Sequence, residues 1–326
     1  GKFGFAYYMR QRLGKTFTAY AEYKLMKEDN KVDWMVVICP NTIKQAWADE
    51  IERVDAYEPV RIYNSQQKAK TNYWLNKNKY GGVLIINYES MHAFMRDKVY
   101  EKFNPIRTYL VADESIKLAD PSARMTQASL KLAALCLYNR VLTGKPSKGF
   151  NTDLWAQLKF IGATHRNFYQ HQAIFVKSGP YAGAPIENIN TKMLKEEMST
   201  HCFIADDKYI EGFKKHYAPL RHITMSGEQA RMYKQMEKDL IAEIYGLSDE
   251  KVAMSAPIIL TKYLRLQQIS SGIGVVNISD DVVVPVNEHV NIVPPENNPR
   301  IQEVKYIINN EVEGKVIIVC RFRVSI

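Results

Sequence analysis

Gly14-Lys15-Thr16 stands between an apolar run over residues 3–9 and a helical stretch over residues 17–26. This tripeptide holds the parts that a nucleotide's phosphates need. Backbone N–H groups at a helix start face the anion, a lysine charge meets the outer phosphates, and a hydroxyl can hold Mg²⁺. Gly14 would permit close backbone approach, Lys15 would supply the charge and Thr16 the hydroxyl, with Arg12 in the same loop. The first glycine of G-x-x-x-x-G-K-[ST] is missing, because Met9 stands there. Alone, the tripeptide also describes an ordinary helix start with a surface lysine.

The second signal is Asp113-Glu114, which directly follows the apolar run Tyr109-Leu110-Val111-Ala112. Two carboxylates at the carboxyl end of a strand suit a Mg·ATP site. Asp113 would hold the metal through water, and Glu114 would orient and deprotonate the attacking water. An exposed acidic turn is the other reading, and the upstream Gly-Lys-Thr argues against it.

These residues need a scaffold that brings strand ends together. Short apolar or β-branched runs at 34–39, 82–87, 109–112 and 140–142 predict buried strands, and the stretch 3–9 a strand or loop. Helical patterns lie between them. Ile43, Ala46, Trp47, Ile51 and Val54 fall on one face, with Asp49, Glu50, Glu52 and Arg53 on the other. Alternating strands and helices predict an α/β fold, a parallel sheet with helices on both faces and its ligand at the carboxyl ends of the strands. Residues 165–190, with Gly179-Pro180, Gly183 and Pro185, read as irregular. Residues 227–245 read as a helix with an apolar stripe of Met232, Met236, Leu240 and Ile244. A hairpin or linker is expected over 277–298, a helix over 301–308 and a buried strand over 315–320.

Composition narrows the partners. Lys and Arg number 44 against 35 Asp and Glu, a formal charge of +9, which favours a polyanion. No apolar run approaches the roughly 20 residues of a membrane helix, so no membrane partner is expected. Cys39, Cys136, Cys202 and Cys320 form no Cys-x-x-Cys pair and read as reduced core thiols of a cytoplasmic protein. His165, His171, His201 and Cys202 match no zinc spacing. The segment 68–80 mixes lysines with Tyr73, Trp74 and Tyr80. It reads either as a path for a nucleic-acid strand or, preferably, as a solvated helix whose aromatics pack on the sheet.

The order of these features resembles the Swi/Snf-type branch of superfamily-two helicases and translocases. Residues 9–16 are similar to motif I of that branch, which also lacks the first Walker glycine. Val37-Ile38-Cys39-Pro40 with Trp47 and Glu50 resembles motif Ia, and Leu84-Ile85-Ile86-Asn87-Tyr88-Glu89 motif Ib. Ala112-Asp113-Glu114-Ser115 with Lys117 and Pro121 resembles motif II. Leu142-Thr143-Gly144-Lys145-Pro146 with Asp153-Leu154-Trp155 and Leu158 resembles motif III. Met225, Gln229 and Tyr233, then residues 263–268 and Val316-Ile317-Ile318-Val319 (motif IV), continue the resemblance in order.

The resemblance implies a RecA-like first lobe at 1–164, an irregular and helical insertion at 165–255, and a linker with the start of a second RecA-like lobe at 256–326. It implies ATP and Mg²⁺ as cofactors and hydrolysis coupled to movement on nucleic acid, DNA more than RNA and double-stranded DNA above all. Pro40, Asn41, Thr42, Asn87 and Tyr88 match positions that contact the phosphate backbone, and Thr143 would join the nucleotide and nucleic-acid sites. Binding would then ignore sequence and weaken steeply with salt. Ile116, Lys145 and Arg12 depart from the family pattern and bear on coupling. The arginine fingers of motif VI would lie beyond Ile326, so the expectation is an incomplete second lobe, completed in a longer chain or by a second polypeptide, with impaired turnover. The competing readings are a non-catalytic nucleic-acid-binding or assembly module and a P-loop ATPase without nucleic acid.

Overall fold

The computed structural model describes residues 2–179, 185–205, 220–245, 249–277, 287–314 and 316–318. Two compact units divide the chain, Gly1–Lys214 and Lys215–Ile326.

The first unit is built on a seven-stranded, all-parallel sheet. Its strands are β1 (Phe5–Met9), β2 (Trp34–Cys39), β3 (Val60–Ile62), β4 (Gly82–Asn87), β5 (Thr108–Asp113), β6 (Tyr138–Leu142) and, later in the chain, β9 (Cys202–Ala205). They lie in the order β3-β4-β2-β5-β6-β1-β9. Every residue of β2, β4 and β5 is buried. Burial on both faces is why these strands are continuous apolar runs and do not alternate.

Each face has its own core. Met35, Val37, Val83, Ile85 and Val111 pack with Ala19, Tyr20 and Tyr23 of α1 (Lys15–Glu28) and Trp47 and Ile51 of α2 (Lys44–Val54). The alternate residues Val36, Ile38, Leu84, Ile86 and Leu110 face the other way. They meet α3 (Lys68–Lys77), α4 (Met91–Arg96), α5 (Arg124–Leu135), α6 (Trp155–Ile161), α7 (Phe168–Phe175) and α8 (Thr191–Ser199). Because all seven strands run the same way, their carboxyl ends share one edge. That edge is where the candidate residues converge.

Among the described residues of the stretch expected to be irregular, 165–190, there is a helix and a strand pair. Asn167 caps α7, its side chain accepting from the Gln170 backbone while Gln170 accepts from the Asn167 N–H. A short antiparallel pair follows, β7 (Val176–Ser178) with β8 (Pro185–Asn188). The glycines and prolines of the stretch outweighed the helical signal that precedes them. The helix α8 and the edge strand β9 also went unread, since β9 is short and exposes Phe203 and Ile204.

In the second unit α9 (Gly227–Tyr245) has the expected bounds and packs on α10 (Asp249–Ser270). The strands β10 (Ile273–Asn277) and β11 (Asn287–Asn291) pair antiparallel, starting four residues before the hairpin or linker expected over 277–298, and α11 (Pro299–Asn310) extends the helix expected over 301–308 by two residues at each end. Met232 and Met236 are half-buried. Of the buried strand expected over 315–320, residues 316–318 are described and are neither strand nor buried, with Ile317 89% exposed, and the other three lie outside the described residues. No helix among the described residues is long and apolar enough to cross a membrane.

Candidate functional site

The loop between β1 and α1 carries the first group of residues. Gly14 caps α1 with φ 76° and ψ 27°, a left-handed conformation that glycine adopts without steric cost. No side chain caps this helix end and its first turn holds no acidic residue, so its N–H donors and positive dipole end are offered to an anion. A Cβ built on Gly14 would meet nothing within 4 Å, so the space over the loop is open. The Lys15 ammonium folds over this loop, donating to the carbonyls of Met9 at 3.2 Å and Arg10 at 3.3 Å. Thr16 follows at the second helical position and is half-buried. Arg12 is exposed and also left-handed, with φ 67°.

Asp113 ends β5 and is buried. Its carboxylate is held from two sides. The Trp47 indole N–H donates to Oδ2 at 2.8 Å, and the Glu114 backbone N–H donates to Oδ1 at 2.8 Å. Burial raises its pKa above the usual carboxylate value, opposed by those two hydrogen bonds and by the charge of Lys15, while Glu114 adds to the rise. The pull from Lys15 means that the loop and the acidic pair already share one electrostatic neighbourhood.

Glu114 is left-handed, with φ 49° and ψ 48°, and this turn swings its half-buried side chain off the strand line. Its carboxylate accepts from the Thr143 hydroxyl at 3.5 Å. Thr143 is fully buried beyond β6, and its hydroxyl oxygen also accepts from the Lys145 N–H at 3.2 Å. The strands β5, β6 and β1 are neighbours, so the carboxylates, Thr143 and the Gly14 loop follow three adjacent strand ends. Gly144 follows Thr143 and passes close to the Met9–Gln11 backbone, where a Cβ would sit in ordinary contact at 3.4 Å from the Met9 carbonyl oxygen. Among the candidates, Lys15, Asp113, Glu114 and Thr143 are therefore brought together, with Gly14 and Thr16 on the same loop.

The other candidates follow β2 and β4 along the same edge. Asn41 and Thr42 are exposed and Pro40 half-buried. Asn87 is buried, donating to Glu89 at 2.9 Å and accepting from Ser90 at 2.8 Å. Tyr88 is fully buried, and its hydroxyl donates to the Asp113 carbonyl at 2.8 Å. Its ring has no solvent face in this arrangement.

Two residues that order this edge were not singled out as site residues. Trp47 stands on the apolar face of α2 and in the motif Ia resemblance, but nothing local in sequence points its N–H at Asp113. Gln157 on α6 is fully buried, accepting from the Ser115 hydroxyl at 2.9 Å and donating to the Pro146 carbonyl at 2.7 Å. It ties the turn after Asp113-Glu114 to the loop after Thr143. A glutamine on the apolar face of a short helix was the available signal, since a buried amide needs partners.

Among solved structures, the SWI2/SNF2 ATPase core of Sulfolobus solfataricus in complex with dsDNA has the same fold. The TM-score is 0.52 at 19% identity, over 94% of this chain and 60% of that one. In sequence the chain is similar to the SWI/SNF-related matrix-associated actin-dependent regulator of chromatin subfamily A-like protein 1 of Drosophila melanogaster. Identity there is 26% over 159 residues, 48% of this chain and 19% of the relative. It is also similar to the mouse helicase-like transcription factor, 23% identical over 249 residues, 72% of this chain and 24% of the relative. The chain thus spans a quarter or less of the length of these relatives. A family model described as the SNF2-related domain matches residues 11–273, most of the chain, and the chain belongs to that family.

Proposed function

We propose that this chain is the ATP-binding front of a nucleic-acid-dependent motor of the translocase or helicase kind, acting on double-stranded DNA. The observation that carries the reading is the convergence of Lys15, Asp113, Glu114 and Thr143 at one edge of a parallel sheet, beside an uncapped helix start. The residues present fit Mg·ATP. The open space over Gly14 and the free N–H donors of α1 suit phosphate oxygens, and Asp113 and Thr16 suit a hard cation that takes oxygen ligands.

In this reading Lys15 and the first turn of α1 hold the outer phosphates, and Mg²⁺ neutralises their charge when bound. Thr16 and Asp113 are the proposed metal residues. Glu114, turned away from the strand by its left-handed backbone, orients the attacking water and takes its proton. Thr143 touches Glu114 and begins the loop of Lys145, so it can report the state of the water-positioning carboxylate along the edge. Asn41 and Thr42, with Pro40, are proposed to contact the phosphate backbone, while Asn87 and Tyr88 shape that surface from behind. The relative solved with dsDNA supports DNA as the partner class.

A titration with a fluorescent ATP analogue and Mg²⁺ tests the nucleotide reading. Lys15→Ala is expected to weaken binding by about tenfold or more, since a charge-assisted hydrogen bond contributes about 1.5–3 kcal/mol. In a form carrying a complete second lobe, Glu114→Gln is expected to keep binding and lose phosphate release. Equal binding by Lys15→Ala and the unaltered chain would refute the site. Tight ATP binding by that completed form with no hydrolysis in the presence of duplex would favour the non-catalytic module.

A further inference from the structure

The helix α3 was expected to turn its aromatic residues onto the sheet, and only one of them does so. Trp74 packs edge-on against Trp34, with ring centroids 5.7 Å apart. Tyr73 is 72% exposed and Tyr80, just past the helix, 82% exposed. Both rings are therefore open to solvent.

Their surroundings are cationic. Lys70 and Lys77 flank Tyr73 on the same helical face, at spacings of three and four residues. Together with Arg61 of the sheet-edge strand β3 they line a groove of about 540 Å³, which also touches Ala69 and Trp74. Its charged lining is Arg61, Lys70 and Lys77, with no carboxylate among them. The Arg61 Nε–H is buried without a hydrogen-bond partner, although buried polar groups are almost always satisfied. Lys79 stands over the Tyr80 ring at 5.0 Å from its centroid. None of Lys70, Lys77 and Lys79 pairs with a carboxylate of the described residues.

This surface is remote from the nucleotide edge. A Cβ on Gly82, the first residue of β4, would lie 3.2 Å from Trp74, and Trp34 begins β2. The Trp74 turn of α3 therefore rests at the amino ends of the strands, a strand length of roughly 17–20 Å from Asp113 and Lys15.

We propose that this face of α3, with Arg61 and Tyr80, binds a single strand of nucleic acid. Unpaired cations spaced along a helix meet successive phosphates, and exposed rings between them give unstacked bases a surface to lie on. A duplex hides its base faces inside the stack and would leave both tyrosines without use. Arg61 adds a third positive charge to the lining of the groove. The inference shares its class of partner with the proposed function but rests on residues that the nucleotide edge does not use.

Fluorescence anisotropy with a labelled oligothymidine and with a blunt duplex separates the two. In the full chain, Tyr73→Ala/Tyr80→Ala is expected to weaken the oligothymidine by roughly tenfold and change duplex binding by less than about twofold. Lys70→Glu/Lys77→Glu is expected to flatten the salt dependence of oligothymidine binding by about 1.4 in logarithmic slope. Asn41→Ala/Thr42→Ala is expected to do the reverse, weakening the duplex and sparing the single strand. Unchanged oligothymidine affinity in the tyrosine variant, or an equal loss for the duplex, overturns the α3 surface and leaves the motor reading standing. Unchanged duplex affinity in the Asn41/Thr42 variant counts against the motor edge and leaves the α3 surface standing. Unchanged binding of the ATP analogue confirms that each variant is folded.

Discussion

The hydroxyl of Tyr88 donates to the backbone carbonyl of Asp113 at 2.8 Å, joining the ends of two strands that are not neighbours in the sheet. The intervening strand β2 ends at Cys39, so the tyrosine bridges over it. Tyr88→Phe removes one buried hydrogen bond without changing the ring. The expected cost is about 1–2 kcal/mol in urea unfolding, with a further loss in Mg²⁺-dependent nucleotide affinity as Asp113 loosens. A stability loss with unaltered nucleotide affinity would restrict Tyr88 to the core.

Trp47 holds the other side of the same residue. Burial already raises the Asp113 pKa, and the indole N–H works against that rise. An acid with a raised folded pKa costs stability as pH climbs from its unfolded value of 3.8 through the folded one, because its charged form is penalised in the native state. Trp47→Phe widens that interval. Mg²⁺-dependent binding of the ATP analogue, followed from acid to neutral pH, is expected to set in at higher pH in Trp47→Phe than in the unaltered chain. Coincident profiles would mean that the indole does not tune the carboxylate.

Beneath the phosphate loop, Glu22 of α1 accepts hydrogen bonds from Arg140, from Tyr109 at 2.6 Å and from Tyr7 at 2.9 Å. Burial alone would raise the Glu22 pKa, but Arg140 and the two tyrosines hold it below the ordinary 4.5. The stabilisation is therefore complete above that value and lost as pH falls through the lower folded pKa. Glu22→Gln leaves Arg140, which is buried, without its counter-charge and is expected to cost about 3 kcal/mol at neutral pH. It should also flatten the acid limb of the stability profile. Glu22→Gln/Arg140→Met is expected to recover part of the loss in a double-mutant cycle read by urea unfolding.

Arg12 and Gly14 are both left-handed, and the sequence treats them oppositely. Arg12→Gly relieves a conformation that costs an L-residue roughly 1–2 kcal/mol and is expected to stabilise the fold by about 1 kcal/mol. Gly14→Ala meets open space, so its stability cost, about 1 kcal/mol, is conformational. Its methyl group would stand over the loop and weaken the ATP analogue. Thermal unfolding and analogue titration on the same samples separate the two effects.

How much of this was legible depended on how local each signal is. The strands β2 and β4 have the expected bounds because burial on both faces writes itself as an unbroken apolar run. Lys15 and the Asp113-Glu114 pair announced themselves by type and by their places at element ends. The contact of Trp47 with Asp113 did not, since 66 residues separate them and only the order of strands in the sheet brings them together. The helix α7 was legible in principle, because Asn167 and Gln170 form a capping box, but the glycines and prolines downstream outweighed it. Tyr73 and Tyr80 were misjudged because helical spacing tells which residues share a face, not whether the sheet is wide enough to cover it.

The strand β9 pairs in parallel with β1, and its last residue accepts the Arg10 N–H at 3.0 Å, at the first step of the phosphate loop. The phosphate loop and the end of β9 therefore share one peptide-to-peptide bond, so a displacement of β9 at the sheet margin is handed directly to the Arg10 peptide.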